Sequence, residues 1–247
     1  MDSDTAGILL TGSHVRGDAH PFSDLDFDLY VTDADKRDGP RLFYSGPHLV
    51  SVVTTTVEET RASYRDPAEA IFAVPGMRNA RILYDRDGSL AAVKREAEVF
   101  RWETVQPDAD RYAARRLVKD AEGVHKILGT LSRGEDAGTA YTMAWLIRGA
   151  TDAIAVHRGL MVPSVNQYFA MVEESMGIDS AWTRAHRRAL GIGEALPLTE
   201  RAAATLELYV ETARALEPIL HPEQRDVVAR ISALIGGLEP FSSVVDR

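Results

Sequence analysis

The segment Leu9–Val31, LLTGSHVRGDAHPFSDLDFDLYV, gathers residue types that handle phosphate and divalent metal. Gly12 follows a short apolar run and, having no side chain, lets the backbone turn sharply and come close to a ligand. Ser13 opens a turn of helix whose free N–H groups and dipole suit a phosphate. After a spacer, Ser23 leads into a strand on which Asp24 and Asp26 share one face at period two. Like charges that close cost stability unless a cation neutralises them. Carboxylate oxygens select a hard ion such as Mg²⁺, which also bridges nucleotide phosphates. An Asp-x-Asp pair alone is too common to mean anything. The ordered string of strand, Gly-Ser turn, spacer and aspartate strand is what carries the reading.

These residues need elements to hold them. Ile8–Thr11 reads as a buried strand that ends in the Gly12 turn. Along Leu25–Thr32, Leu25, Phe27, Leu29 and Val31 point one way, and Asp24, Asp26, Asp28 and Tyr30 the other. Leu42–Tyr44 and the β-branched His48–Thr56 are two further strands, separated by Ser45-Gly46-Pro47. Glu58–Arg65 reads as helix, Asp66-Pro67 as a break, Ala80–Tyr84 as a strand, and Leu90–Phe100 as the next helix. Beyond Pro107 helical periodicity dominates, with breaks near Gly134, Gly159–Pro163, Gly177, Gly191–Pro197 and His221-Pro222. Leu117, Ala121, Val124, Leu128 and Leu131 form one apolar stripe, and Met143–Val156 is apolar nearly all round, as a central bundle helix should be. Thr199–Leu216 and Val227–Leu238 complete the set. The expected architecture is α+β: a small mixed sheet with flanking helices over residues 1–105, then an all-α helical bundle over 106–247.

With Gly12-Ser13, Arg16, Gly17, Ser23 and Asp24-Leu25-Asp26-Phe27 in this order, the chain resembles the nucleotidyltransferase superfamily whose fold is that of DNA polymerase β. The resemblance implies that Asp24 and Asp26 hold divalent metal, up to two Mg²⁺ ions. It further implies that Gly12, Ser13, Arg16 and Ser23 hold the triphosphate of an NTP donor. The chemistry it implies is in-line displacement with loss of pyrophosphate. A small transferase domain followed by a bundle also resembles the antibiotic-modifying members, the aminoglycoside and lincosamide nucleotidyltransferases. The stretches Ile147-Arg148-Gly149 and His157–Ser164 carry that narrower likeness.

The pattern has departures. Relatives commonly carry a third carboxylate on the neighbouring strand, where this chain offers Ser51, Thr54, Thr55 and Thr56. Asp28, one step along the aspartate face, is a candidate replacement ligand and equally a candidate structural residue. Glu58 and Glu59 fit a helix start, where acids complement the dipole. A general base from the bundle is expected in some relatives, and Asp120, beside the apolar stripe, is the candidate here. Relatives often place a helix before the first strand; without one, a sheet face is left for the bundle or a second subunit, and a homodimer follows as an expectation.

Composition sets the outer limits. A net charge of −9 argues against a protein that mainly grips a nucleic-acid backbone and agrees with a cationic small-molecule acceptor such as an aminoglycoside. The absence of cysteine excludes disulfides and thiolate metal sites. No apolar stretch is long enough for a membrane span, and the acidic opening does not read as an export signal, so a cytoplasmic location is expected. Two further readings stay open beside the small-molecule enzyme. One is a transferase acting on RNA or protein, as in toxin–antitoxin pairs; the other is a nucleotide-binding module that lost turnover with its third carboxylate.

Overall fold

The computed structural model describes residues 4–237, and the chain divides into two compact units. The first comprises the residues up to Val105 together with Met161–Tyr168; the second comprises Gln106–Leu160 and the residues from Phe169 onward.

The first unit is built on a five-stranded mixed sheet of β1 (Thr5–Thr11), β2 (Leu25–Val31), β3 (Arg41–Ser45), β4 (His48–Thr55) and β5 (Arg81–Asp85), in the order β3-β4-β2-β1-β5. Only β2 and β4 run parallel; the other pairs are antiparallel. Gly46-Pro47 closes the β3–β4 hairpin, with Ser45 opposite His48. The parallel pairing of β2 with β4 matters for the site, because it lays the middle of β4 alongside the aspartates.

The α-helices of this unit among the described residues are α1 (Ser13–Arg16), α2 (Val57–Ser63), α3 (Pro67–Asn79) and α4 (Ser89–Val99). The start of α2 is fixed by a capping box. The Thr56 hydroxyl accepts from Glu59 N–H at 3.2 Å, and the Glu59 carboxylate accepts from Thr56 N–H at 3.0 Å. Asp66-Pro67 does break the chain after α2, and it also begins α3, a helix the sequence reading did not assign. Asp66 caps it, accepting from Ala68 N–H at 2.9 Å, and Pro67 sits in the first turn, where its missing N–H costs nothing. The core of the unit lies between the sheet and these helices. Leu9, Ala70, Val74, Leu90, Val93 and Ala97 are fully buried there, and Tyr30 nearly so. On the opposite face Ile8, Leu10, Leu25, Phe27 and Leu29 are only half-buried.

The second unit is helical: α5 (Gln106–Ser132), α6 (Asp136–His157), α7 (Tyr168–Met176, apart from its first residue), α8 (Ala181–Leu190), α9 (Leu198–Leu216) and α10 (Pro222–Gly236). The apolar residues of α6 are buried over most of its length, as expected of a central helix. A polar group is also built into this interior. Glu173 accepts from Arg187 Nε at 2.8 Å and lies 2.8 Å from His186 Nδ1, with the imidazole stacked on Trp182 at 4.9 Å. Burial depresses the His186 pKa, so its hydrogen bond to Glu173 fixes the ring without needing the imidazolium. Leu238, the last residue expected of the final helix, lies outside the described residues. Among the described residues no helix is long and apolar enough to cross a membrane.

Candidate functional site

The carboxyl-bearing face of β2 opens into a cavity of about 1370 Å³ lined by first-unit residues. Its walls include Gly12, Ser13, Arg16, Ser23, Asp24, Asp26, Asp28 and Ser51. Period-two geometry explains most of this: Asp26, Asp28 and Tyr30 share the face of β2 that meets the cavity, and Phe27 reaches it as well.

The three aspartates occupy graded surroundings. Asp24 precedes the strand, at the rim. Asp26 stands between Thr11 on β1 and Ser51 on β4 in the sheet register, with a hydroxyl on either side. Asp28 stands between Leu9 and Val53. Burial first, and the Asp26 charge second, push the Asp28 carboxyl up to about 6. Burial and Asp24 also raise the Asp26 pKa, and Arg16 and His14 offset part of that rise. One step further, the Tyr30 hydroxyl lies 2.9 Å from the Thr60 hydroxyl, and burial raises its pKa as well.

Gly12 is shaped around Asp26. Its φ of 73° favours glycine, and a Cβ placed there would lie 2.1 Å from Asp26 Oδ2. The carboxylate therefore sits against the backbone at the end of β1, in the space a side chain would fill. From Gly12 the chain enters α1, with Arg16 N–H donating to the Gly12 carbonyl at 3.3 Å.

Arg16 is engaged with protein groups on both sides. Its Nε donates to Asp18 Oδ2 at 3.3 Å and its Nη1 donates to the Pro163 carbonyl at 3.1 Å. Ser23 holds the shape of the loop ahead of Asp24: its hydroxyl accepts from His20 N–H at 3.0 Å, and its N–H donates to the His20 carbonyl at 2.9 Å.

Two Asp carboxylates beside a backbone turn suit Mg²⁺, which is commonly held by one or two carboxylates and completes its shell with water and substrate phosphates. The Gly12 cradle around the Asp26 carboxylate fits that use. No group of three or more His, Cys, Asp or Glu residues arranged to hold a metal ion occurs among the described residues. Asp24 and Asp26 would hold the ion, and Asp28 lies recessed behind them.

Asp120 belongs to the second unit, on α5. It is 1% exposed and 3.2 Å from Arg116 Nε. The bare Cα of Gly149 makes room for it, since a Cβ there would meet Asp120 Oδ2 at 2.2 Å. Burial drives its pKa up to about 7 against the pull of Arg116.

Two parts of the cavity wall escape the sequence reading. One is α3, which contributes Glu69, Phe72 and Met77; its signal was the same Asp-Pro pair, which starts a helix as well as stopping one. The other is the segment from Pro163 to Gln167, which belongs to the first unit despite lying far along the chain. No local signal assigns it there.

The sheet order and the helices that follow it can be set beside known proteins. No protein-family model matches the chain, and no curated protein matches it in sequence. Among solved structures, the crystal structure of a nucleotidyltransferase-like protein from Exiguobacterium sibiricum 255-15 superposes with a TM-score of 0.55 at 13% identity. The match covers 93% of this chain and 74% of that one. The two chains share a fold. At this identity the likeness speaks for the α+β architecture and its helical continuation, and leaves the chemistry to be argued from the cavity.

Proposed function

We propose that the protein is a metal-dependent nucleotidyltransferase that moves a nucleoside monophosphate from an NTP to a hydroxyl of a small cationic acceptor such as an aminoglycoside. The observation that carries this reading is the Asp26 carboxylate seated against the Gly12 backbone, with Asp24 beside it on the same cavity wall. The fold shared with a nucleotidyltransferase-like protein supports it.

In the reaction, the acceptor oxygen attacks the α-phosphorus of the NTP, the bond to the bridging oxygen of the β-phosphate breaks, and pyrophosphate leaves. Mg²⁺ held by Asp24 and Asp26 would supply charge neutralisation on the phosphates. The Gly12-Ser13 turn offers backbone N–H groups to the triphosphate, and Ser23 fixes the loop from which Asp24 projects. Arg16 positions the turn through Asp18 and Pro163 and adds a positive charge beside the phosphates. The acceptor proton passes to a carboxylate. Asp120, on α5 of the second unit, is the candidate general base from the bundle. The excess of acidic side chains favours a cationic acceptor over a polyanionic one. The half-buried apolar face of the sheet supports a homodimer, which sedimentation as a clean monomer at micromolar concentration would remove.

A second reading is favoured by one feature. Ser51 is the β4 residue in register with Asp26, so the site has a hydroxyl where relatives place their third carboxylate. On that reading the protein binds NTP and has lost turnover. Incorporation of label from ATP, GTP, CTP and UTP into a panel of aminoglycosides, lincosamides and tRNA separates the possibilities. Product on an aminoglycoside or lincosamide supports the first reading, and product on tRNA moves the acceptor to RNA. Mg²⁺-dependent nucleotide binding without any product supports the lapsed module, and absence of nucleotide binding removes all of them.

A further inference from the structure

We propose that Phe22, Asn166 and Gln167 form the subsite that reads the base of the nucleotide. This inference rests on the nucleotide reading of the cavity and goes beyond it. Phe22 is 93% exposed, yet it lines the cavity a few residues ahead of Asp24. Its ring meets the His20 ring at 6.2 Å, and at this exposure it still offers a stacking face to the cavity. The segment Pro163–Gln167 lines the same cavity, and it is pinned. Val162 N–H donates to the Ile71 carbonyl at 2.7 Å, the Pro163 carbonyl accepts from Arg16 at 3.1 Å, and the Tyr168 ring packs edge-on against Phe72 at 5.2 Å. Ser164 shapes the turn in between, its carbonyl accepting from Gln167 N–H at 3.0 Å. What this fixed backbone presents to the cavity is a pair of exposed carboxamides, Asn166 and Gln167.

Arg16 ties the two halves of the subsite together. It holds Asp18, in the loop that carries Phe22, and Pro163, at the start of the carboxamide segment. The chemistry of the set selects the ligand. A carboxamide offers a donor and an acceptor in one plane, which matches the edge of a nucleobase, and an aromatic ring matches its face. A polycationic acceptor would be recognised by carboxylates instead, and these three side chains carry no charge.

The test compares Mg²⁺-dependent binding of the four NTPs with binding of inorganic tripolyphosphate, which lacks a base, by titration calorimetry. The proteins are the wild type, Phe22→Ala and the double variant Asn166→Ala/Gln167→Ala; all three side chains are exposed, so folding is not at stake. The expected result is that the wild type binds at least one NTP about ten-fold or more tighter than tripolyphosphate. Each variant should lose most of that margin while its tripolyphosphate affinity stays within about two-fold of wild type. A margin that survives in both variants overturns the inference, as does an equal loss for NTP and tripolyphosphate. Wild-type protein that binds tripolyphosphate as tightly as every NTP overturns this inference alone. Wild-type protein that binds neither overturns the nucleotide reading together with it.

Discussion

Asp26 on β2 and Ser51 on β4 are partners in the parallel register of the sheet, so a hydroxyl stands beside the more enclosed of the two metal-ligand candidates. A carboxylate introduced at Ser51 would stand beside Asp26 in that register. Ser51→Asp is expected to tighten apparent Mg²⁺ affinity by about ten-fold, roughly 1.4 kcal/mol. In metal-free buffer the same variant should lose on the order of 1 kcal/mol of stability, because like charges then face each other across the strands. Calorimetric Mg²⁺ titration and metal-free thermal unfolding read the two effects. Unchanged Mg²⁺ affinity would separate Ser51 from the metal site.

Gly12→Ala places a methyl group where Asp26 Oδ2 now sits, in a backbone conformation that L-residues disfavour. The strain is expected to cost about 1–3 kcal/mol, visible in denaturant unfolding. The flexible carboxylate can yield where the backbone cannot, so nucleotide binding should fall further than stability does. Wild-type nucleotide affinity in a folded Gly12→Ala protein would contradict the role given to this contact.

Asp26→Asn should separate function from stability. Removing one of two neighbouring charges, from a carboxyl already strained by burial and by Asp24, should leave the metal-free protein as stable as wild type or slightly more so. Transfer of nucleotide should drop by at least about 100-fold, on the scale of losing one group that stabilises developing charge. Paired measurements of unfolding and label incorporation decide it, and retained incorporation would count against Asp26 as a ligand.

Asp120 should leave a signature in the pH dependence of stability. Its carboxyl shifts from 3.8 to about 7 in the folded protein, so the native state binds this proton more tightly than the unfolded chain does. Its contribution is then fully present below about pH 4 and lost as pH rises towards 7, and the change amounts to on the order of 2–4 kcal/mol. Asp120→Asn should flatten that slope in denaturant titrations run across the range. If Asp120 is also the base, turnover falls in this variant while nucleotide binding persists. Unchanged turnover with a flattened slope would assign the residue to packing alone.

Much of the first unit was legible because strand geometry is local. Alternation along β2 is a property of the extended backbone, so the shared face of Asp24, Asp26 and Asp28 follows from their spacing. The Gly12 turn follows from glycine's freedom at positive φ. The helical continuation was legible for the same kind of reason, since each break coincides with glycine or proline. Helix α3 was not, because Asp66-Pro67 ends one helical run and also caps the next with proline in its first turn, and only the stop was legible. With α3 went Glu69 and Phe72 on the cavity wall.

The sequence by itself determined the candidate chemistry: which side chains could bind phosphate and metal, in what order, and on which face of a strand. Only the tertiary structure decided their surroundings. Which β4 residue lies beside Asp26 depends on register, a long-range hydrogen-bonding choice that no local pattern encodes. That Asp28 is held near 6 while it shares a face with Asp26 depends on its burial in the folded unit and on the Asp26 charge. The membership of Met161–Tyr168 in the first unit depends on contacts made by Arg16, Ile71 and Phe72, which lie far from it along the chain. Local geometry sets what a residue can do, and distant neighbours set its dielectric, its charge and its reach.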